Sequence, residues 1–143
     1  MFAPQSPLHM PPPQHFSSVY RQVGVQSAVS GGASPHRLVA MLFDGALEAI
    51  AQARGALRDG RIEAKGRAIG RAARIVEEGL KAGLNREAGG KLADSLDDLY
   101  AYVALRLTQA NLLNDDAALV ECQRLIEPLR DAWGEIAPQA AAW

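Results

Sequence analysis

Four stretches of this chain repeat apolar residues at steps of three and four, and each is bounded by residues that begin or end helices. The first opens on Ser34-Pro35: the serine hydroxyl can accept a free backbone N–H, and proline suits the next position, where no N–H is needed. Leu38, Val39, Leu42, Phe43, Ala46, Leu47, Ile50 and Leu57 follow, and Asp59-Gly60 ends the run with a glycine suited to a left-handed cap. The second pattern spans about Arg61 to Leu84. Ile62, Ile69, Val76 and Leu80 share one face, Gly66, Gly70 and Ala73 lie at its edge, and Ala64, Ala68 and Ile75 point nearly opposite. The third runs from near Glu87 to about Asn111 with Leu92, Leu96, Leu99, Val103, Leu107 and Ala110 inward. Asn114-Asp115-Asp116 breaks it and offers a carboxylate to cap a fourth, marked by Leu119, Cys122, Leu125 or Ile126, Leu129, Trp133 and Ile136. Pro128, inside that last pattern, predicts a kink, since it removes a helix hydrogen bond and crowds the carbonyl of Arg124.

Amphipathic helices on short connectors pack as antiparallel neighbours. The reading is therefore all-α: an antiparallel up-and-down four-helix bundle with a short N-terminal helical or cap segment and a disordered proline-rich head. No stretch alternates with period two for long enough to suggest a sheet. Composition sets the boundaries. Residues 1–16 carry Pro4, Pro7, Pro11, Pro12 and Pro13 and read as a disordered extension. Residues 17–33 hold Val19, Tyr20, Val23 and Val25 ahead of Gly31-Gly32, an apolar cap segment on a hinge. Residues 34–137 form the bundle, and 138–143 a C-terminal tail. A chain of 143 residues is one ordinary domain and needs no metal or disulfide to fold.

Composition narrows function by exclusion. A formal net charge of −1 supplies no field that steers the chain toward nucleic acid or an anionic membrane. Arg67, Arg71 and Arg74 make an arc on the second helix, but Glu63, Glu77 and Glu78 are interleaved with them, so they read as a solvated face. No apolar run approaches the ~20 residues of a membrane span. The N-terminus has prolines where a secretory signal needs an apolar core, which places the protein in the cytoplasm where it is made. The three histidines, His9, His15 and His36, lie at or before the start of the first long helix, and no Glu-x-x-His pair projects from a bundle helix. Cys122, the single cysteine, occupies an apolar position and reads as a small core residue. The chain reads as a non-enzyme without cofactor or metal.

The unusual chemistry is in packing. Gly66, Gly70, Gly79 and Gly83 lie in one helix, where interior glycine costs ~1 kcal/mol relative to alanine. They serve either tight packing inside the bundle or a shallow groove that receives a partner's helix, and Ile75, off the core stripe, points weakly to the groove. Gly89-Gly90 reads either as a loose helix start or as a place where a second chain passes close to backbone. Tyr100 and Tyr102 fall on different faces, so at least one sits at a rim, anchored by its own bundle or offered to a partner.

Together these motifs resemble the FliS family of flagellin export chaperones. Ser34-Pro35-His36-Arg37-Leu38-Val39-Ala40-Met41-Leu42-Phe43-Asp44-Gly45-Ala46-Leu47 is similar to the family's opening helix, with Phe43 where a tyrosine is usual. Gly89-Gly90-Lys91-Leu92-Ala93, Leu96, Leu99-Tyr100-Ala101-Tyr102, Ala110-Asn111 and Leu129-Arg130-Asp131-Ala132-Trp133 continue it in order, and Val19-Tyr20-Arg21 resembles the family's N-terminal tyrosine motif. Leu84-Asn85-Arg86-Glu87 departs from the family's Ser-Leu-Asp-like turn, as do Pro128 and the long head. The resemblance implies a bundle around which the disordered C-terminal segment of flagellin wraps, blocking premature polymerisation and keeping the subunit competent for type III export. It also implies that the segment around Tyr20 covers part of that site until flagellin displaces it, and it brings in the flagellar export gate as a further partner. The candidate flagellin-binding residues are Tyr20, Leu38, Met41, Leu42, Gly45, Gly66, Gly70, Ile75, Tyr100, Tyr102 and Asn111. Two rival readings are a histidine phosphotransfer bundle using His36 and a helical adaptor for another secretion client; the first needs an exposed histidine within a helix, whereas His36 directly follows the Ser34-Pro35 cap.

Overall fold

Ser34 caps the first long helix as its spacing predicts, its Oγ accepting the Arg37 N–H at 3.1 Å. The computed structural model describes residues 13–20 and 34–136; the prolines before Pro13, the Gly31-Gly32 joint and the tail beyond Ile136 lie outside them. The described chain is helical: α1 (Pro13–Ser18), α2 (Pro35–Arg58), α3 (Ile62–Arg74, continued as a π-helix over Ile75–Lys81), α4 (Arg86–Leu113) and α5 (Asp116–Gly134). α2 packs on α3 and α5, and α4 packs on α3 and α5, which closes a four-helix up-and-down bundle. α1 begins ahead of Ser17, where the change of composition puts the boundary, and it packs on α4 and α5.

The corners follow local chemistry. Gly60 supplies the positive φ (73°) that ends α2. Asn85 caps α4 by accepting the Ala88 N–H at 3.0 Å, so the departure from the family's turn sequence keeps the capping function. Asn114 closes α4 in the left-handed conformation, and the Asp115 carboxylate accepts the Ala117 and Ala118 N–H groups at 3.0 and 3.4 Å to start α5. Gly90, at φ 55°, breaks the helical dihedrals in the first turn of α4.

Two expectations need correction. Ile62 does not face the core; it is 51% exposed, whereas Ala68, expected on the far side, is buried. Ile69, Val76 and Leu80 are buried as expected, and the inward surface also takes in Lys65, Ala68 and Ala72, whose small alanines let α2 approach. The Lys65 ammonium reaches the end of α4, donating to the Asn111 carbonyl at 2.8 Å and to Asn114 Oδ1 at 2.6 Å, where a cation complements the helix dipole. Next, α3 widens into a π-helix after Arg74, which keeps Val76 and Leu80 both fully buried. Pro128 lies within α5, which is assigned as one helix to Gly134. The carbonyl it deprives of a donor belongs to Arg124, an exposed residue where solvent is the alternative partner.

Candidate partner-binding surfaces

The end of the bundle nearest α1 is closed by an aromatic cluster. Phe16 and Tyr20 meet the Trp133 ring edge-on, at centroid distances of 5.2 and 5.7 Å. Phe16, Val19 and Tyr20 are buried. The Tyr20 hydroxyl lies 3.0 Å from the Leu80 carbonyl and 2.7 Å from the Tyr100 hydroxyl. A carbonyl only accepts, so Tyr20 donates to Leu80 and Tyr100 donates to Tyr20. Burial pushes both phenols above their ordinary value, which keeps this pair neutral.

Two backbone contacts seat α1. The Asn85 N–H donates to the Val19 carbonyl at 2.7 Å. An added Cβ at Gly89 would stand 2.6 Å from Val19 Cγ1 and 3.2 Å from Val19 Cα, so the glycine is what admits the segment. At Gly89 the segment that passes close is the protein's own, not a second chain, while Gly90 at φ 55° loosens the start of the helix. His36 stacks on the opposite side of this cluster, 5.3 Å from Trp133. The Trp133 Nε1–H donates to the His36 carbonyl at 2.9 Å, and His36 Nε2 lies 2.9 Å from the Trp133 carbonyl, which makes Nε2 the protonated nitrogen. A phosphoryl acceptor at Nε2 would have to abandon that bond.

Apart from Tyr102, the remaining candidates divide between two seams that flank α3. On the α2/α3 seam Leu38, Leu42, Gly45 and Ile75 are half-buried and Met41 is 52% exposed. An added Cβ at Gly45 would lie 3.3 Å from Ile75 Cδ1, and one at Gly79 would lie 2.8 Å from Leu42 Cδ2. Tight packing therefore accounts for Gly45 and Gly79. It does not account for Gly66 and Gly70 on the α3/α4 seam. A Cβ at Gly66 would meet only Asn111 Oδ1, at 3.7 Å, and one at Gly70 only the Arg74 guanidinium of its own helix, at 3.6 Å. Further along this seam a groove of about 720 Å³ runs past Glu77 and Lys81 on one wall and Asp97, Ala101 and Leu105 on the other. Lys81 pairs with Asp97 at 3.1 Å across it.

The two helix-four tyrosines separate as their faces require. Tyr100 is fully buried, while Tyr102 is 42% exposed on the side facing α5. There its hydroxyl donates to Glu121 at 2.5 Å beside an Arg106–Glu121 pair at 2.8 Å. The Tyr102 hydroxyl and Arg106 hold the Glu121 carboxyl below its ordinary value. Tyr102 thus lies outside the two seams that gather most other candidates. Sequence reasoning missed Leu105, Leu112 and Leu113, all more than half exposed, although each falls out of phase with Leu96, Val103, Leu107 and Ala110. It missed as well the clamp between His36 and Trp133, two residues 97 apart that no local pattern connects.

No described helix is long and apolar enough to cross a membrane. Residues 16–140 match the family profile described as flagellar protein FliS. Over 122 residues the chain is 48% identical to the flagellar secretion chaperone FliS of Salmonella typhimurium, an alignment covering 85% of this chain and 90% of that protein. It is 44% identical over 117 residues to the flagellar secretion chaperone FliSB of Pseudomonas aeruginosa, covering 82% of this chain and 91% of that one. To the flagellar secretion chaperone FliS of Bacillus subtilis it is 34% identical over 116 residues, 81% of each chain. With the matched residues spanning Phe16 of α1 and the whole bundle behind it, the chain belongs to the FliS family of flagellar secretion chaperones.

Proposed function

We propose that this protein is a cytoplasmic chaperone that binds the C-terminal segment of flagellin, prevents its premature polymerisation and holds it ready for flagellar type III export. The observation that carries this reading is the pair of seams beside α3. Gly66 and Gly70 leave α3 backbone with no side chain of a neighbouring core layer over it, while Met41 and Leu105 stand more than half exposed to either side. A segment that is disordered when free must bury a large area to offset its ordering entropy. Two seams on opposite sides of one helix suit a ligand that wraps better than one that touches a single point. Family membership supports a flagellar client, and the export gate is a further partner on the same reasoning.

In this reading α1 is a removable cover. Its buried Phe16, with Val19 and Tyr20 directly after it, fills the bundle's end with apolar surface that a client could supply instead, and leaving would also uncover Tyr100. The test is calorimetry of the full chain with flagellin and with flagellin lacking its C-terminal segment. One-to-one binding of the first and none of the second is expected. Equal binding of both would remove the C-terminal segment from the proposal, and no heat with either would remove flagellin. Pull-downs from a flagellated strain and a flagellin-null strain separate the adaptor alternative, whose main partner would survive in both.

A further inference from the structure

The α2/α3 seam changes character along its length. Near Gly45 and Ile75 it is apolar, but beyond the contact of Gln52 with the Arg71 guanidinium it opens into a groove of about 430 Å³. The floor there is small, formed by Gly55, Ala56, Ala64 and Ala68. Arg61, Arg67 and Arg71 stand along one wall against a single carboxylate, Asp59. None of these arginines joins an ion pair among the described residues, whereas Arg54, Arg86, Arg106 and Arg130 each hold a carboxylate. Even Glu63, four residues before Arg67 and well placed for a helix pair, makes no such bridge. At the far end Ile62 is 51% exposed and shares a smaller recess of about 350 Å³ with Arg61, Arg67 and Glu63.

We propose that this basic half of the seam binds an acidic stretch of a partner polypeptide. Arginine forks match carboxylates two bonds at a time, and a floor of glycine and alanine lets a second backbone come close. Arg67 and Arg71, one helical turn apart, are spaced by about 6 Å, close to the repeat of alternate side chains in an extended chain and to one turn of a facing helix. Ile62 gives an apolar contact beside the charges, which a polypeptide can use. A single-stranded nucleic acid fits less well, because no aromatic side chain lines the groove to stack a base. The inference rests on the chemistry of this half of the seam and stands whether or not flagellin fills the apolar half.

The experiment uses the full chain and a labelled synthetic peptide of alternating glutamate and alanine, with anisotropy read at low ionic strength. A lysine–alanine peptide and an oligouridylate are the comparison probes. The acidic peptide is expected to bind, to weaken with added salt, and to lose about tenfold or more in affinity to the Arg67→Glu/Arg71→Glu variant. The milder Arg67→Gln/Arg71→Gln pair is expected to fall between, and Arg124→Glu, an exposed change on α5, to leave binding unchanged. Circular dichroism equal to the parent confirms that loss of binding is not loss of fold. Failure of the acidic peptide to bind, binding undiminished by charge reversal, or tighter binding of oligouridylate each overturns the proposal. Flagellin titrated against the same variants reports separately on the client.

Discussion

Replacing Gly89 by alanine sets the N-terminal segment against the bundle, because the added methyl projects into Val19, just past the end of α1. It would meet Val19 Cγ1 at 2.6 Å, Ala93 Cβ at 2.8 Å and Val19 Cα at 3.2 Å. A valine methyl can turn away, but a backbone Cα cannot, so relief requires the turn at Val19, and with it the end of α1, to shift. Overpacking of this kind costs ~1–3 kcal/mol. Alanine meanwhile favours a helix over glycine by up to ~1 kcal/mol, which offsets the strain that the 2.8 Å approach to Ala93 Cβ places on α4 itself. Placed on the closed cover alone, that cost raises the open population roughly 5- to 150-fold. The Asn85 N–H, bonded to the Val19 carbonyl at 2.7 Å, reports opening directly through hydrogen exchange. Its protection should fall by that factor while amides in the middle of α4, such as Val103, keep theirs. If α1 must leave for a client to enter, client affinity rises with the open fraction. Undiminished Asn85 protection in a folded variant would refute the steric argument. Equal loss at Asn85 and Val103 would show that the methyl weakens the bundle and not the cover.

Three further outcomes follow from the same coordinates. Gly70→Leu should leave stability within ~1 kcal/mol and weaken client binding, whereas Gly79→Leu should destabilise by ~1–3 kcal/mol because Leu42 Cδ2 already stands 2.8 Å from its Cβ position; chemical denaturation of both variants, with reversed ranks as the refuting result, checks this. Tyr20 and Tyr100 are held neutral above the ordinary value of 10.0, so stability is unaffected below that pH and declines above it, where the unfolded chain releases protons the folded one retains. The slope is about 1.4 kcal/mol per pH unit for each phenol, and unfolding curves that stay constant on the alkaline side would contradict their shared burial. Lys65→Met should cost ~1.5–3 kcal/mol by removing the ammonium that caps α4 through Asn111 and Asn114, and thermal unfolding unchanged from the parent would show that solvent caps that end equally well.

What the sequence determined alone is the local part. Ser34, Asp59-Gly60 and Asp115 act on groups within four residues of themselves, so they are readable without a neighbour, and four amphipathic runs on short connectors admit little besides a bundle. The ordered motifs carried the family as well. The tertiary structure decided whatever depends on what stands opposite. Whether a glycine is a contact or an opening cannot be told from its helix: Gly79 lies under Leu42, Gly70 under nothing but its own Arg74. Lys65 reaches the end of α4 across 46 residues, a contact that no local pattern announces, while Ile62 at the start of α3 stays exposed. Likewise Gly89 gains its meaning only once Val19 is folded against it. Helix ends are governed by hydrogen bonds along the chain, whereas seams and covers arise from side chains meeting across it, and only a folded chain brings those together.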